Sequence, residues 1–110
     1  MACQTLNPYT GETLATFEDA TDNELRTAIA AAHHAFLRWR EVSFAERGRV
    51  LQAAADLLRR DSDHYARLLT LEMGKLFAEA KAEVELSAKI FEYYVRNAAA
   101  LLAPEKLPVL

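Results

Sequence analysis

The chain has 110 residues, a hydrophobic fraction of 52% and a formal charge of -3, which bounds it to one domain or part of one with enough apolar content for a core. Mixed charge without a basic face argues against a nucleic-acid binder. No apolar run approaches the roughly 18 residues of a membrane span, and no basic region with a following apolar stretch marks a secretory signal. The single cysteine, Cys3, excludes an internal disulfide and a CxxC metal site, and fits a reducing, cytoplasmic setting.

In chain order, residues 4–17 read as a β-hairpin. Asn7-Pro8-Tyr9-Thr10-Gly11-Glu12 is a dense turn signal, because proline presets φ and glycine accepts positive φ. Leu6, Leu14 and Phe17 supply the apolar positions of its strands. A lone hairpin is marginal in water and should lie on the helices that follow.

Helices are expected over 22–103. The first runs from Asp22 to Trp39 behind a Thr21/Glu24 capping box. Its apolar stripe is Leu25, Ile29, Ala32, Phe36 and Trp39. The second starts at a Ser43/Glu46 capping box and turns Val50, Leu51, Ala54, Leu57 and Leu58 inward. Asp61-Ser62 offers a break and a new N-cap. A third, shorter helix carries Tyr65, Leu68, Leu69 and Met73 inward and stops at Gly74, where positive φ is needed. The fourth spans Phe77 to Leu102, on the order of 40 Å. Its buried stripe is Ala80, Val84, Ala88 or Ser87, Phe91, Tyr94 or Val95, and Ala98. Lys75 with Glu79, Lys81 with Glu85, and Glu85 with Lys89 are spaced as i,i+4 ion pairs. Pro104 blocks continuation. The apolar tail Leu107-Pro108-Val109-Leu110 reads as a strand lacking a partner, so the chain is expected to be an N-terminal piece.

The chemistry-bearing residues are sparse. Cys3 precedes the first strand and has no evident base or helix N-terminus to lower its pKa. His33 and His34 are adjacent on a helix and point about 100° apart, and His64 stands alone, so no metal site is expected. Glu72, Glu79, Glu83 and Glu85 interleave with Lys75, Lys81 and Lys89, which describes a charged helix surface rather than a catalytic carboxylate pair. Gly11, Gly48 and Gly74 are isolated, so no GxGxxG or P-loop cradle exists. Tyr93-Tyr94 could mark an aromatic stacking surface, but without basic interleaving it reads as a helix-packing pair. From pattern alone the chain is a mainly α unit, an N-terminal β-hairpin plus four helices, with no self-sufficient active site.

Five motifs in order resemble the NAD(P)-dependent aldehyde dehydrogenase superfamily. They are the Asn7–Glu12 turn, the Ala32-His33-His34-Ala35-Phe36-Leu37-Arg38-Trp39 helix end, the Glu46-Arg47-Gly48-Arg49-Val50-Leu51 helix start, the Leu71-Glu72-Met73-Gly74-Lys75 turn, and a long helix with Tyr93-Tyr94. Glu72-Met73-Gly74-Lys75 and Leu102-Ala103-Pro104-Glu105 look most like bacterial succinate-semialdehyde dehydrogenases. Leu76 departs from the pattern, which has proline after Gly-Lys. The resemblance implies that residues 1–110 are one unit of a larger α/β, Rossmann-like enzyme, ending before its cofactor and catalytic motifs. It implies oxidation of an aldehyde, succinate semialdehyde in that subfamily, by a cysteine nucleophile and a glutamate-activated water. NAD or NADP is the cofactor and a homo-oligomer the assembly. No catalytic or cofactor-binding residue is expected in this chain, and Cys3 does not match the catalytic position. The family's long helix borders the substrate tunnel, which brings Ala82 and Leu86 to the tunnel-facing register. The chain alone should be inactive and bind no NAD(P). The alternative is a stand-alone helical interaction module, or a gene remnant, docking on dehydrogenase subunits through exposed apolar stripes.

Overall fold

The computed structural model describes residues 3–108. Strand β1 (Cys3–Leu6) and strand β2 (Thr13–Phe17) form an antiparallel pair, with Cys3 opposite Phe17, Thr5 opposite Ala15, and an irregularity between Thr5 and Leu6. The turn closes as the dipeptide chemistry requires. Tyr9 N–H donates to Asn7 Oδ1 at 2.9 Å, Gly11 N–H donates to the Asn7 carbonyl at 2.8 Å, and Gly11 takes φ 75°. Four helices follow: α1 (Asp22–Trp39), α2 (Phe44–Arg60), α3 (Ser62–Met73) and α4 (Phe77–Leu101). The predicted helices match these bounds, with α4 ending one residue earlier than expected. Val109 and Leu110 of the apolar tail lie outside the described residues.

Both capping boxes are formed. Glu24 N–H donates to Thr21 Oγ1 while Thr21 N–H donates to Glu24 Oε2, and Ser43 with Glu46 repeats the arrangement. These bonds satisfy N–H groups that a helix start otherwise leaves orphaned. The Thr21 N–H and hydroxyl donate to the Glu24 carboxylate, and the Ser43 hydroxyl and N–H to that of Glu46, so both carboxylates titrate below the usual range. Asp61 does mark the break between α2 and α3, but its carboxylate turns back to Arg60 at 2.7 Å instead of capping α3. Gly74 ends α3 in the left-handed region (φ 69°, ψ 17°), and its N–H reaches the Thr70 carbonyl at 3.0 Å.

The helical core is an α2–α3–α4 layer in which α4 packs along α2 and α3. Its buried apolar residues are Ala55, Ala66, Ala80, Val84 and Ala88, none larger than valine. Gly48 is also buried, and a Cβ built there would lie 3.5 Å from Val95 Cγ1. Small side chains set a close approach between backbones. The hairpin rests on this layer through β1 and α3, and Pro8 comes against Gly74 at the end of α3.

Several predicted core residues are on the outside. Val50, Leu57, Leu68 and Met73 are exposed, because α2 and α3 turn Ala55 and Ala66 inward. Leu6, Leu14 and Phe17 are exposed as well, and Thr5 and Ala15 are the half-buried pair of the hairpin. On α4 the stripe Ala80, Val84 and Ala88 is buried as expected, but Tyr94 is exposed and Val95 takes the inward place. Helix α1 has no buried residue, and no other described element packs along it. Its whole predicted stripe of Leu25, Ile29, Ala32, Phe36 and Trp39 therefore faces outward.

The consequence shows in the dimensions. A folded monomer of this mass exposes about 6,100 Å², whereas this chain exposes 9195 Å². Its radius of gyration is 19.4 Å, against about 13 Å for a compact domain of this length.

Candidate functional site

The outer face of α4 carries the candidate site. Ala82 and Leu86 are four residues apart, so they lie on one helix stripe. Both line an open groove of about 660 Å³ that Ile90 extends by one more turn. Lys75, Glu79, Glu83 and Ser87 border it. The Lys75 ammonium is paired with the Glu83 carboxylate, so the groove's one cation is already engaged within the chain. Leu86 and Ile90 are exposed, and together they give the groove an apolar floor with a charged rim.

Of the three surface ion pairs the i,i+4 spacing suggested, Glu85 with Lys89 forms and the other two do not. Lys75 reaches Glu83 rather than Glu79, and Lys81 reaches Asp63 of α3 at 2.6 Å rather than Glu85. Glu85 does meet Lys89, at 3.9 Å, but its close partner is Arg59 of α2. Arg59 donates to both Glu85 oxygens, at 3.0 and 3.2 Å, and to both Glu92 oxygens, one of them at 3.0 Å. Gln52, one heptad before Arg59, adds a bond to Glu92 at 3.5 Å. These hydrogen bonds stabilise the ionised forms. The Arg59 bond, reinforced by Gln52, holds Glu92 down at about 2, and the Arg59 bond also lowers Glu85. Arg59 itself is pushed upward by the same contacts. Gln52 and Glu92 were not singled out from the sequence, and Arg59 was read there only as a cation suited to the C-terminal end of its helix. The signal was present in the spacing: Gly48, Gln52, Ala55 and Arg59 share one face of α2, and Glu85 and Glu92 are one heptad apart on α4.

The other singled-out residues are spread over the surface. Cys3 is exposed, its Sγ 4.0 Å from the Asp19 carboxylate. The His33 ring meets His34 edge-on at 6.5 Å and lies 6.3 Å from Phe36, while His64 stacks edge-on against Tyr65 at 5.4 Å. Among the described residues, no group of three or more His, Cys, Asp or Glu is placed to hold a metal ion. Tyr93 and Tyr94 meet edge-on at 5.3 Å and both are exposed, so they do not pack a helix interface within this chain. No described helix is long and apolar enough to cross a membrane.

A dinucleotide would need consecutive backbone N–H groups in a glycine-rich turn at a helix start. The glycines with positive φ here are Gly11, in the hairpin turn, and Gly74, at a helix C-terminus. Neither begins a helix, so these residues do not fit a cofactor phosphate cradle.

A model of the aldehyde dehydrogenase family matches residues 1–109. Succinate-semialdehyde dehydrogenase [NADP(+)] 1 of Mycobacterium tuberculosis is 53% identical over 105 residues, covering 96% of this chain and 23% of the relative. The crystal structure of succinic semialdehyde dehydrogenase from Streptococcus pyogenes, in complex with NADP+, superposes with a TM-score of 0.89 at 42% identity, over 96% of this chain and 24% of the other. HpcC from Thermus thermophilus superposes with a TM-score of 0.87 at 29% identity, over 99% of this chain and 21% of the other. The chain thus spans about a quarter of the length of each. The hairpin and four helices of this chain therefore superpose on less than a quarter of each of those longer chains, and the chain belongs to the aldehyde dehydrogenase family.

Proposed function

We propose that this chain is the N-terminal helical part of an NADP-dependent succinate-semialdehyde dehydrogenase, and that the α4 groove is one wall of its substrate tunnel, with Ala82 and Leu86 as lining. The substrate is then a small aldehyde, oxidised to its acid by a homo-oligomeric enzyme of the cytoplasm. The observation that carries the tunnel role is the placement of Ala82 and Leu86 in one groove, on the face of α4 opposite its packed stripe. The 53% identity to a protein of that activity supports the substrate and cofactor. The excess of about 3,000 Å² over a compact monomer supports a larger folded body. It exceeds the roughly 1,000–2,500 Å² per partner of obligate interfaces, as it would if α1 and the outer face of α4 were covered by further polypeptide.

The division of labour follows from the chemistry of the groove. Its apolar floor would exclude water from a short aliphatic substrate, and its rim pair, Lys75 with Glu83, would set its polar boundary. Nucleophile, general base and cofactor cradle belong to residues other than those described.

The test is a chimera in which residues 3–108 replace the matching segment of the M. tuberculosis relative. The chimera should fold and form NADPH from succinate semialdehyde, while the 110-residue chain alone should form none. Leu86→Trp in the chimera should raise KM about tenfold with kcat within about twofold, the pattern of obstructed access rather than lost transition-state contact. A folded but inactive chimera would refute the assignment of activity. An unmoved KM in Leu86→Trp would refute the tunnel role.

A further inference from the structure

The α2–α4 interface holds together two features that ordinarily occur apart. Its apolar part is smooth: Gly48 on α2 comes against Val95 on α4, and the buried residues of the two helices are Gly48, Ala55, Ala80, Val84 and Ala88, with no fully buried large side chain. Small residues permit close approach but interlock weakly, so they oppose rotation of one helix on the other less than large knobs do. Against that smooth face stands one directional contact. Arg59 spans two carboxylates a heptad apart, with Nε and Nη2 on Glu85 and with Nη1 and Nη2 on Glu92. A guanidinium is a rigid planar fork, and filling both of its edges fixes direction as well as distance. Gln52 steadies Glu92 from the same face of α2.

The angular arrangement on α4 gives this contact a purpose. At about 100° per residue, Glu85 and Glu92 fall within about 20° of each other. They sit between the buried stripe of Ala80, Val84 and Ala88 and the groove stripe of Ala82, Leu86 and Ile90. A slip of one residue at this interface would turn the groove away by about 100°. We infer that Arg59 is a positioning residue: its double clamp on Glu85 and Glu92, rather than the alanine-rich core, fixes the rotation of α4 and with it the direction in which Ala82 and Leu86 face. The functional half of this inference rests on the proposed tunnel role of the groove.

Ion pairs of this kind are separable from stability. Replacing a buried charge network by apolar side chains of similar volume is often neutral or stabilising, so the clamp can be removed without unfolding the layer. The decisive variant is therefore Arg59→Met/Glu85→Leu/Glu92→Leu in the chimera described above. It should melt at or above the parent temperature. Its KM for succinate semialdehyde should nevertheless rise about fivefold or more with kcat within about twofold, and amide exchange of residues 81–90 should quicken about tenfold. The single variant Arg59→Lys, which keeps the charge but not the fork, should show the same direction of change. Parent-like amide exchange in the triple variant would overturn the inference whether or not the chimera is active, because that readout does not depend on catalysis. Quickened exchange with an unchanged KM in an active chimera would overturn the link to the groove. An inactive parent chimera would instead count against the proposed activity.

Discussion

Substituting Gly74 by alanine tests how α3 ends and how the hairpin is seated, and the structure provides its own control. Gly74 lies at φ 69°, where an L-residue is disfavoured by about 1–2 kcal/mol. Alanine recovers part of that by restricting the unfolded chain, about 0.4–1 kcal/mol, leaving a backbone cost near 1 kcal/mol. The added Cβ would also stand 3.2 Å from Pro8 Cγ, a tight approach that the turn must relieve by moving. Together these effects should destabilise the chain by about 1–2 kcal/mol, a loss of about 5–15 °C in melting temperature for a domain of this size. Gly11 has a similar φ of 75°, but a Cβ there meets nothing within 4 Å. Gly11→Ala should therefore show the backbone cost alone. Urea and thermal unfolding followed by far-UV circular dichroism measure both, and Pro8→Ala in the Gly74→Ala background should recover the difference between them. If Gly74→Ala proves no more damaging than Gly11→Ala, the hairpin does not press on the α3 terminus. If neither shifts the midpoint, the left-handed assignment itself is wrong.

Two further outcomes follow from groups described above. Glu92 titrates at about 2 in the folded chain, below its ordinary value of 4.5, because Arg59 hydrogen-bonds its ionised form. Its stabilising contribution is thus complete above about 4.5 and is lost as pH falls toward about 2. Glu92→Gln should flatten the stability–pH curve in that window, and a curve parallel to the parent's in acid titration would contradict the pairing. Removing the caps should separate two parts of the molecule. Ser43→Ala should lower the unfolding free energy of the α2–α3–α4 layer by about 1 kcal/mol. Thr21→Ala should quicken amide exchange in α1 while leaving that layer unchanged, since no described element packs along α1; equal effects on the layer would show that α1 is coupled to it.

Local features were legible in the sequence wherever the cause was local. Thr21/Glu24 and Ser43/Glu46 form their capping boxes, Gly74 takes the left-handed conformation, and Ala80, Val84 and Ala88 are buried at their four-residue spacing. The failures share one physical origin. Periodicity says which residues share a helix face but not which helix, if any, meets that face. Large apolar side chains were expected inside, so Leu57, Leu68 and Met73 were placed there, yet alanines occupy the centre and these lie outside. The ion pairs were sought along one helix, but Lys81 and Glu85 find their closest partners on α3 and α2. The α1 stripe is real as a pattern, but no described element packs along it. Ala82 and Leu86 came from family register rather than from chemistry, and the fold brings them into one groove.

The pairing of neighbours in this fold also bears on when the chain can acquire its shape. The helical layer joins α2, α3 and α4, which follow one another in sequence, and the Arg59 contacts close loops of only 26 and 33 residues. Contacts this local form quickly, in the microsecond-to-millisecond range of helical proteins. A ribosome adds about 5–20 residues per second. The α2–α4 layer can therefore assemble in less time than a single residue is added, as soon as α4 is free of the ribosome. The contact of Pro8 with Gly74 spans a far longer stretch of chain, so the hairpin should settle onto a layer already formed.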